Sequence, residues 1–168
     1  MKLRAVFPVF ALIALTALGA CGFRPLYATK GDSYNTAANM ALVDVAVIND
    51  RVGQVTRNAL IETLTPRGQS AKPLYDLKVT LNESISEQGL TKDNEATIAD
   101  YLITATYELV RRQDSKILRQ GNVRTRTSYN IVESDFASIE AESAARADAA
   151  RTLAQQLANQ VAIGLRSQ

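Results

Sequence analysis

The sequence predicts an α+β domain, built as β-α-β-β-β-α, in which a four-stranded, mostly antiparallel sheet is covered on one face by two helices. Three observations predict it. Between residues 75 and 132 apolar side chains recur at every second position, the period of a strand. Around 52–64 and again from 134 onward they recur at helical spacing. The alternating segments pair an apolar face with a polar one, which means a sheet with one covered side.

The run ALVDVAVI, residues 41–48, is short, apolar and β-branched and predicts the first strand. Asn49 and Asp50 follow as turn or N-cap residues, and Val52, Val55, Ala59, Leu60 and Leu64 mark a helix that Pro66 stops. Residues 67–73 are polar and form a loop. In the next strand Tyr75, Leu77, Val79, Leu81 and Ile85 share one face, and Asp76, Lys78, Thr80, Asn82 and Ser84 share the other. The strand after it sets Ala99, Tyr101, Ile103, Ala105, Tyr107 and Leu109 against Asp100, Thr104, Thr106 and Glu108, with Leu102 as the exception.

A turn at Arg112 to Ser115 leads into the last strand, residues 117–132. If opposed residue numbers across that hairpin sum to 228, Tyr107 covers Gly121, Ala105 meets Val123 and Ala99 meets Tyr129. An aromatic ring over a strand glycine is a favourable cross-strand pair. From Ser134 the period changes to 3.6. Ser134 or Asp135 caps the helix, and Glu140 and Glu142 lie toward its positive end. Phe136, Ile139, Ala147, Ala150, Ala154, Leu157, Val161 and Leu165 form one stripe along it, and its alanines let a long helix lie close on a sheet. No internal repeat or low-complexity segment interrupts this order.

Ahead of the domain, Lys2 and Arg4 precede an uncharged stretch, residues 5–20, that ends in Leu18, Gly19 and Ala20 before Cys21. A positive start, an apolar run and small residues at its end describe a secretory signal peptide. The run contains Pro8 and is shorter than the roughly 20 residues a bilayer core requires. Its end lacks an A-x-A pattern and resembles the bacterial lipobox. Cleavage there makes Cys21 the new N-terminus, carrying a thioether-linked diacylglycerol and an amide-linked acyl chain. Cys21 is the only cysteine, which rules out an internal disulfide, and lipidation accounts for a lone thiol in an oxidising compartment. Each buried methylene contributes about 0.8 kcal/mol and two anchoring signals hold stably, so a multiply acylated terminus tethers the domain to a membrane. By resemblance to enterobacterial sorting, Gly22 after the lipid site favours the outer membrane. The expected organisation is a signal peptide over 1–20, a lipidated N-terminus and tether over 21–40, and one domain over 41–168.

Lysine and arginine number 19 against 17 acidic residues, and the excess is Lys2 and Arg4. The mature chain is formally neutral, which gives no argument for nucleic acid or for a basic membrane-binding surface. There is no histidine, no second cysteine and no glycine-rich phosphate loop, so the usual metal ligands, Ser-His and Cys-His nucleophile pairs and nucleotide cradles are missing. The closest acid pairs, Glu140 with Glu142 and Asp93 with Glu95, are two residues apart and diverge on a helix. The expectation is a protein that is not an enzyme, with no cofactor or metal beyond its covalent lipid.

The stretch CGFRPLY, residues 21–27, followed by strand, helix, three strands and a final helix reading SDFASIEAESAARADAARTLAQQLANQV, resembles the LPS-assembly lipoprotein family LptE, most closely its alphaproteobacterial members. The likeness covers essentially the whole mature chain. It implies an outer-membrane lipoprotein on the periplasmic face that sits as a plug in the lumen of the LPS-translocating β-barrel LptD. Such proteins help that barrel fold and bind LPS during its insertion into the outer leaflet. Under this implication the candidates for LPS contact are Lys78, Arg124 and Arg126 on the outward strand faces, with Arg111 and Arg112 at the hairpin tip, since guanidinium groups engage phosphates bidentately. The same residues also read as solvated strand and turn charges, with Arg126 diagonally near Asp100. For Phe23, Leu26 and Tyr27, docking on the barrel wall and docking on the domain's own core are both open. A second functional reading keeps the anchor but assigns another envelope ligand or another transport system. A third, a carboxylate-dependent hydrolase, requires acids that converge in a pocket.

Overall fold

The computed structural model describes residues 36–90 and 96–166. In chain order the elements are α1 (Thr36–Met40), β1 (Val43–Val45), α2 (Asp50–Leu64), β2 (Tyr75–Leu90), β3 (Ala96–Arg111), β4 (Lys116–Asn130) and α3 (Asp135–Arg166). The strands lie side by side in the order β1-β2-β3-β4; β1 runs parallel to β2 and the other pairs are antiparallel. Helices cover one face, so the predicted α+β arrangement is the one observed.

The β3–β4 register matches the expected one from Ile98↔Asn130 to Leu109↔Arg119, with Tyr107 opposite Gly121; a bulge between Leu109 and Val110 then shifts it by one. Ala99, Tyr101, Ile103, Ala105, Tyr107 and Leu109 are all buried, and Leu102 faces outward as its parity requires. They meet Leu60 and Leu64 of α2 and the buried stripe of α3, chiefly alanines with Leu153, Leu157, Val161 and Leu165. Ser134 caps α3, its Oγ accepting from the Ala137 N–H at 3.5 Å.

The structure departs from the expectation in three places. The first strand covers Val43–Val45 and not the whole of 41–48. After the last ladder bond, Ala46 N–H to the Leu77 carbonyl at 3.0 Å, the chain turns off the sheet to start α2 and leaves Val47 exposed. Ile48 then folds back into the core against Gly53, where an added Cβ lies 2.8 Å from Ile48 Cγ2 and 2.9 Å from its carbonyl oxygen. Gly53→Ala is therefore expected to cost about 1–2 kcal/mol in urea denaturation, the overpacking outweighing alanine's better helix propensity. An unchanged midpoint would show that Ile48 can shift.

The second departure is α1: part of the stretch expected as tether, Thr36–Met40, is a short helix that packs on α3 with Thr36 and Met40 buried. The third concerns the apolar stripe of α3. Phe136 and Ile139 lie on the same helical face as Ala150 but are 78% and 66% exposed. With 32 residues α3 is about 48 Å long, whereas the 15 residues of α2 span about 22 Å. The stripe continues beyond what covers it. The sheet overhangs too, since β2 is exposed from Asn82 through Gly89.

Candidate functional site

The uncovered face of the sheet carries three of the five candidate cations. Parity puts Lys78 on β2 opposite Glu108, Arg124 on β4 opposite Thr104, and Arg126 opposite Leu102. Arg124 and Arg126 are two residues apart on one strand, so their stems emerge about 7 Å apart on the same face. Lys78 is two strands over and four residues down, roughly 17 Å from Arg124. The structure thus brings the two arginines together and leaves the lysine apart. Arg126 Nη1 stands 3.8 Å from Asp100 Oδ2, the diagonal approach its parity suggests. Asp100 also accepts from Ser128 Oγ at 2.6 Å and Gln88 Nε2 at 3.1 Å, and so ties β2, β3 and β4 together. The rest of the face is mainly hydroxyl and amide groups, among them Thr80, Asn82, Thr104, Thr106 and Asn122.

Arg111 and Arg112 are engaged at the turn. Asp44 and Asp76 are direct register partners on the parallel pair, two like charges side by side. Arg112 lies against both, Nη2 donating to Asp44 Oδ2 at 2.8 Å and Nε to Asp76 Oδ1 at 2.8 Å, which raises the already high guanidinium pKa. Arg111 forks onto Asp114 at 2.9 and 2.8 Å. That fork, helped by the Lys116 N–H, pulls the Asp114 carboxyl from its ordinary 3.8 down to about 2. A carboxyl whose folded pKa is depressed contributes stability above its unfolded value and loses it as pH falls through the folded one. In acid titrations, wild type and Asp114→Asn should therefore differ in unfolding midpoint at pH 5 and converge between about 4 and 2. A constant difference across that window would mean the fork contributes nothing.

On the covered face, where the helix layer thins, lies a polar cluster that the sequence analysis missed. Tyr101 Oη donates to Glu83 Oε2 at 2.7 Å, and the Arg146 guanidinium sits 5.7 Å from the centre of the Tyr101 ring. Arg146 Nη2 reaches Glu142 Oε1 at 2.7 Å and its Nε lies 3.9 Å from Glu83 Oε2. Burial first, then the bond to Glu83, raise the Tyr101 phenol well above the ordinary tyrosine value, so it stays a donor. Burial and then Glu142 raise Tyr129 as well. A groove of about 260 Å³ opens beside the cluster between α2 and α3, walled by Val52, Val55, Ile139 and Ala147. Both carboxylates lie within ion-pair distance of Arg146 and Tyr101 holds Glu83, while Arg146 Nε is buried without a hydrogen-bond partner. A second missed group lies near the end of α3, where Arg119 Nε and Nη2 donate to Gln160 Oε1 at 3.0 and 2.7 Å beside the Tyr107 hydroxyl. The sequence did hold a signal for both groups: Glu83 and Arg119 are charged residues at positions whose parity points inward.

Among the described residues no group of three or more acidic, histidine or cysteine side chains is placed to hold a metal ion, and no helix is long and apolar enough to cross a membrane. Leu18, Gly19, Ala20, Cys21, Phe23, Leu26 and Tyr27 lie outside the described residues.

A family model described as LptE, lipopolysaccharide-assembly, matches residues 39–161. Among curated proteins no relative matches the chain. Of solved structures, a lipoprotein from Caulobacter crescentus is similar at a TM-score of 0.63 and 18% identity, covering 79% of this chain and 97% of its own. A minor lipoprotein from Acinetobacter baumannii is similar at 0.56 and 22% identity, covering 72% and 90%. Lipoprotein B from Nitrosomonas europaea is similar at 0.56 and 13% identity, covering 74% and 85%. At these identities the likeness is one of fold.

Proposed function

Because the chain belongs to the LptE family of lipopolysaccharide assembly, a lipoprotein family that is neither enzymatic nor cofactor-dependent, we propose that it is the plug subunit of the LPS translocon. In this proposal it is anchored through an acylated Cys21 on the periplasmic face of the outer membrane and sits in the lumen of an LptD-type β-barrel. There it assists the barrel's assembly and the insertion of LPS into the outer leaflet.

The observation that carries this reading is the uncovered sheet face. A plug must present polar groups to a polar lumen. The outward rows of β2, β3 and β4 do so mainly through hydroxyl, amide and charged groups, while helices cover the opposite face over all but the far end of β2. The adjacent Arg124 and Arg126 are the pair we assign to phosphate contact on LPS. Depletion of the protein should leave misassembled barrel and too little surface LPS, and the barrel should copurify with the native lipoprotein from detergent extracts. Normal LPS export after depletion would instead favour a lipoprotein serving another envelope ligand or transport system. For the site, Arg124→Glu with Arg126→Glu should weaken LPS retention on the order of tenfold or more, the loss of charge-assisted hydrogen bonds. Lys78→Glu, remote from the pair, should change it far less. Equal effects would remove the arginine pair from the proposal.

A further inference from the structure

The neutral composition hides a separation of charge along the sheet. The register brings the start of β2, the β3–β4 turn and the ends of α2 and α3 to one end of the domain. Three carboxylates there, Asp44, Asp76 and Asp114, are taken up by Arg111 and Arg112. Arg67, Lys72, Lys116 and Arg166 are exposed at the same end, and no ion pair joins them to a carboxylate among the described residues. Glu62 and Glu108 stand back from this rim by about a helical turn and three strand residues. Between the cations lie Leu74, Ile117 and Ile163, each 41% to 50% exposed. The far end has the opposite sign on balance, with Glu83, Glu87, Glu133, Asp135, Glu140 and Glu142 around Arg146 and Arg51.

Helix dipoles account for part of this, since Arg67 and Arg166 follow or close helices whose C-termini favour cations. Lys72 and Lys116 belong to no helix and require another reason. The chain enters the fold at this same end: α1 leads into Leu42, whose carbonyl accepts from the Leu74 and Tyr75 N–H groups. Fifteen residues separate Thr36 from Cys21, a reach of roughly 50 Å at full extension. Standing the domain on its far end would hold the start of β1 about 54 Å from the leaflet, the length of β3, and so would leave the tether at its limit of extension.

We infer that the turn end of the sheet is a docking surface for the anionic phospholipid headgroups of the leaflet that holds the anchor. The cations meet phosphates, and Leu74, Ile117 and Ile163 enter the interfacial layer beside them. This rests on the reading of Cys21 as the lipid site. It adds which end of the domain faces the membrane, and it needs neither LPS nor the barrel.

The test uses the mature lipidated chain in LPS-free phosphatidylcholine vesicles, with and without phosphatidylglycerol. Cys21 is the only native cysteine and its thioether is unreactive, so Ile117→Cys and Ile139→Cys each accept a single fluorophore. Lipid-borne quenchers should quench position 117 strongly and position 139 weakly, only when phosphatidylglycerol is present, and high salt should abolish the difference. Each cation near an anionic surface is worth roughly fivefold in partition, so Lys72→Gln with Lys116→Gln should reduce the bias about 25-fold. Equal quenching at the two positions, stronger quenching at 139, or indifference to salt on the unmutated surface would overturn the inference while leaving the anchor intact. Failure of the chain to float with vesicles at all would overturn anchor and inference together.

Discussion

Leu157→Ala is expected to lower the stability of the domain by about 3–5 kcal/mol, the upper part of the range for truncating a buried leucine. The reason is the composition of the α3 face. Six of its buried residues are alanines, Ala145, Ala149, Ala150, Ala154, Ala158 and Ala162, and the bulky side chains among them are Leu153, Leu157, Val161 and Leu165. On the helix side a cavity at the middle of that row has alanine neighbours, whose methyl groups have no rotamer with which to fill it, so less of the lost contact is recovered. A domain of this size has only about 5–15 kcal/mol to lose. The urea midpoint should fall sharply with the slope of the transition unchanged. Ile163→Ala, on the same helix but 41% exposed, should cost less than about 1 kcal/mol. Comparable losses at the two positions would mean that the helix face has been misassigned.

Which side of each strand is buried could be read from the sequence because parity is local: a clean run of alternation fixes the inward set, and a short turn with Tyr107 over Gly121 fixes the register. The extent of cover could not. A helical stripe encodes the direction in which Phe136 and Ile139 point and carries no information on where the neighbouring α2 begins. Contacts distant in sequence were equally silent. Arg112 meets Asp44 and Asp76 across 68 and 36 residues, through a parallel pairing only three residues long that no periodicity reveals. The arginine was therefore visible as a hairpin-tip cation while its engagement with two aspartates was not. Glu83 sits at inward parity between Leu81 and Ile85, a break in the apolar row whose partners Tyr101 and Arg146 lie too far along the chain for alternation to show. The separation of charge between the ends of the sheet escaped for the opposite reason. Its members are scattered over the loop at 67–72, the residue after the β3–β4 turn and the last turn of α3, and only the fold assembles them.

On the proposed reading of Cys21 as the lipid site, Cys21→Ala should leave an uncleaved precursor held in the inner membrane. The lipoprotein signal peptidase acts after the cysteine has been acylated, so a residue with no thiol leaves residues 1–20 attached, and that apolar run then serves as the anchor. Radiolabelled fatty acid should disappear from the band, its mass should rise by the signal peptide less the acyl chains, and it should sediment with inner-membrane markers. Acyl chains at about 0.8 kcal/mol per buried methylene make the native attachment nearly permanent, which is why the expected change is all-or-none. The domain itself should remain folded, since every buried residue named above lies at or beyond Thr36. The phenotype expected under the proposed function is consequently one of place: a folded domain held in the wrong membrane, away from the barrel that proposal assigns it. A mature wild-type terminus that reacts as a free thiol would defeat the anchor directly, because a thioether-linked lipid leaves no sulfhydryl to modify.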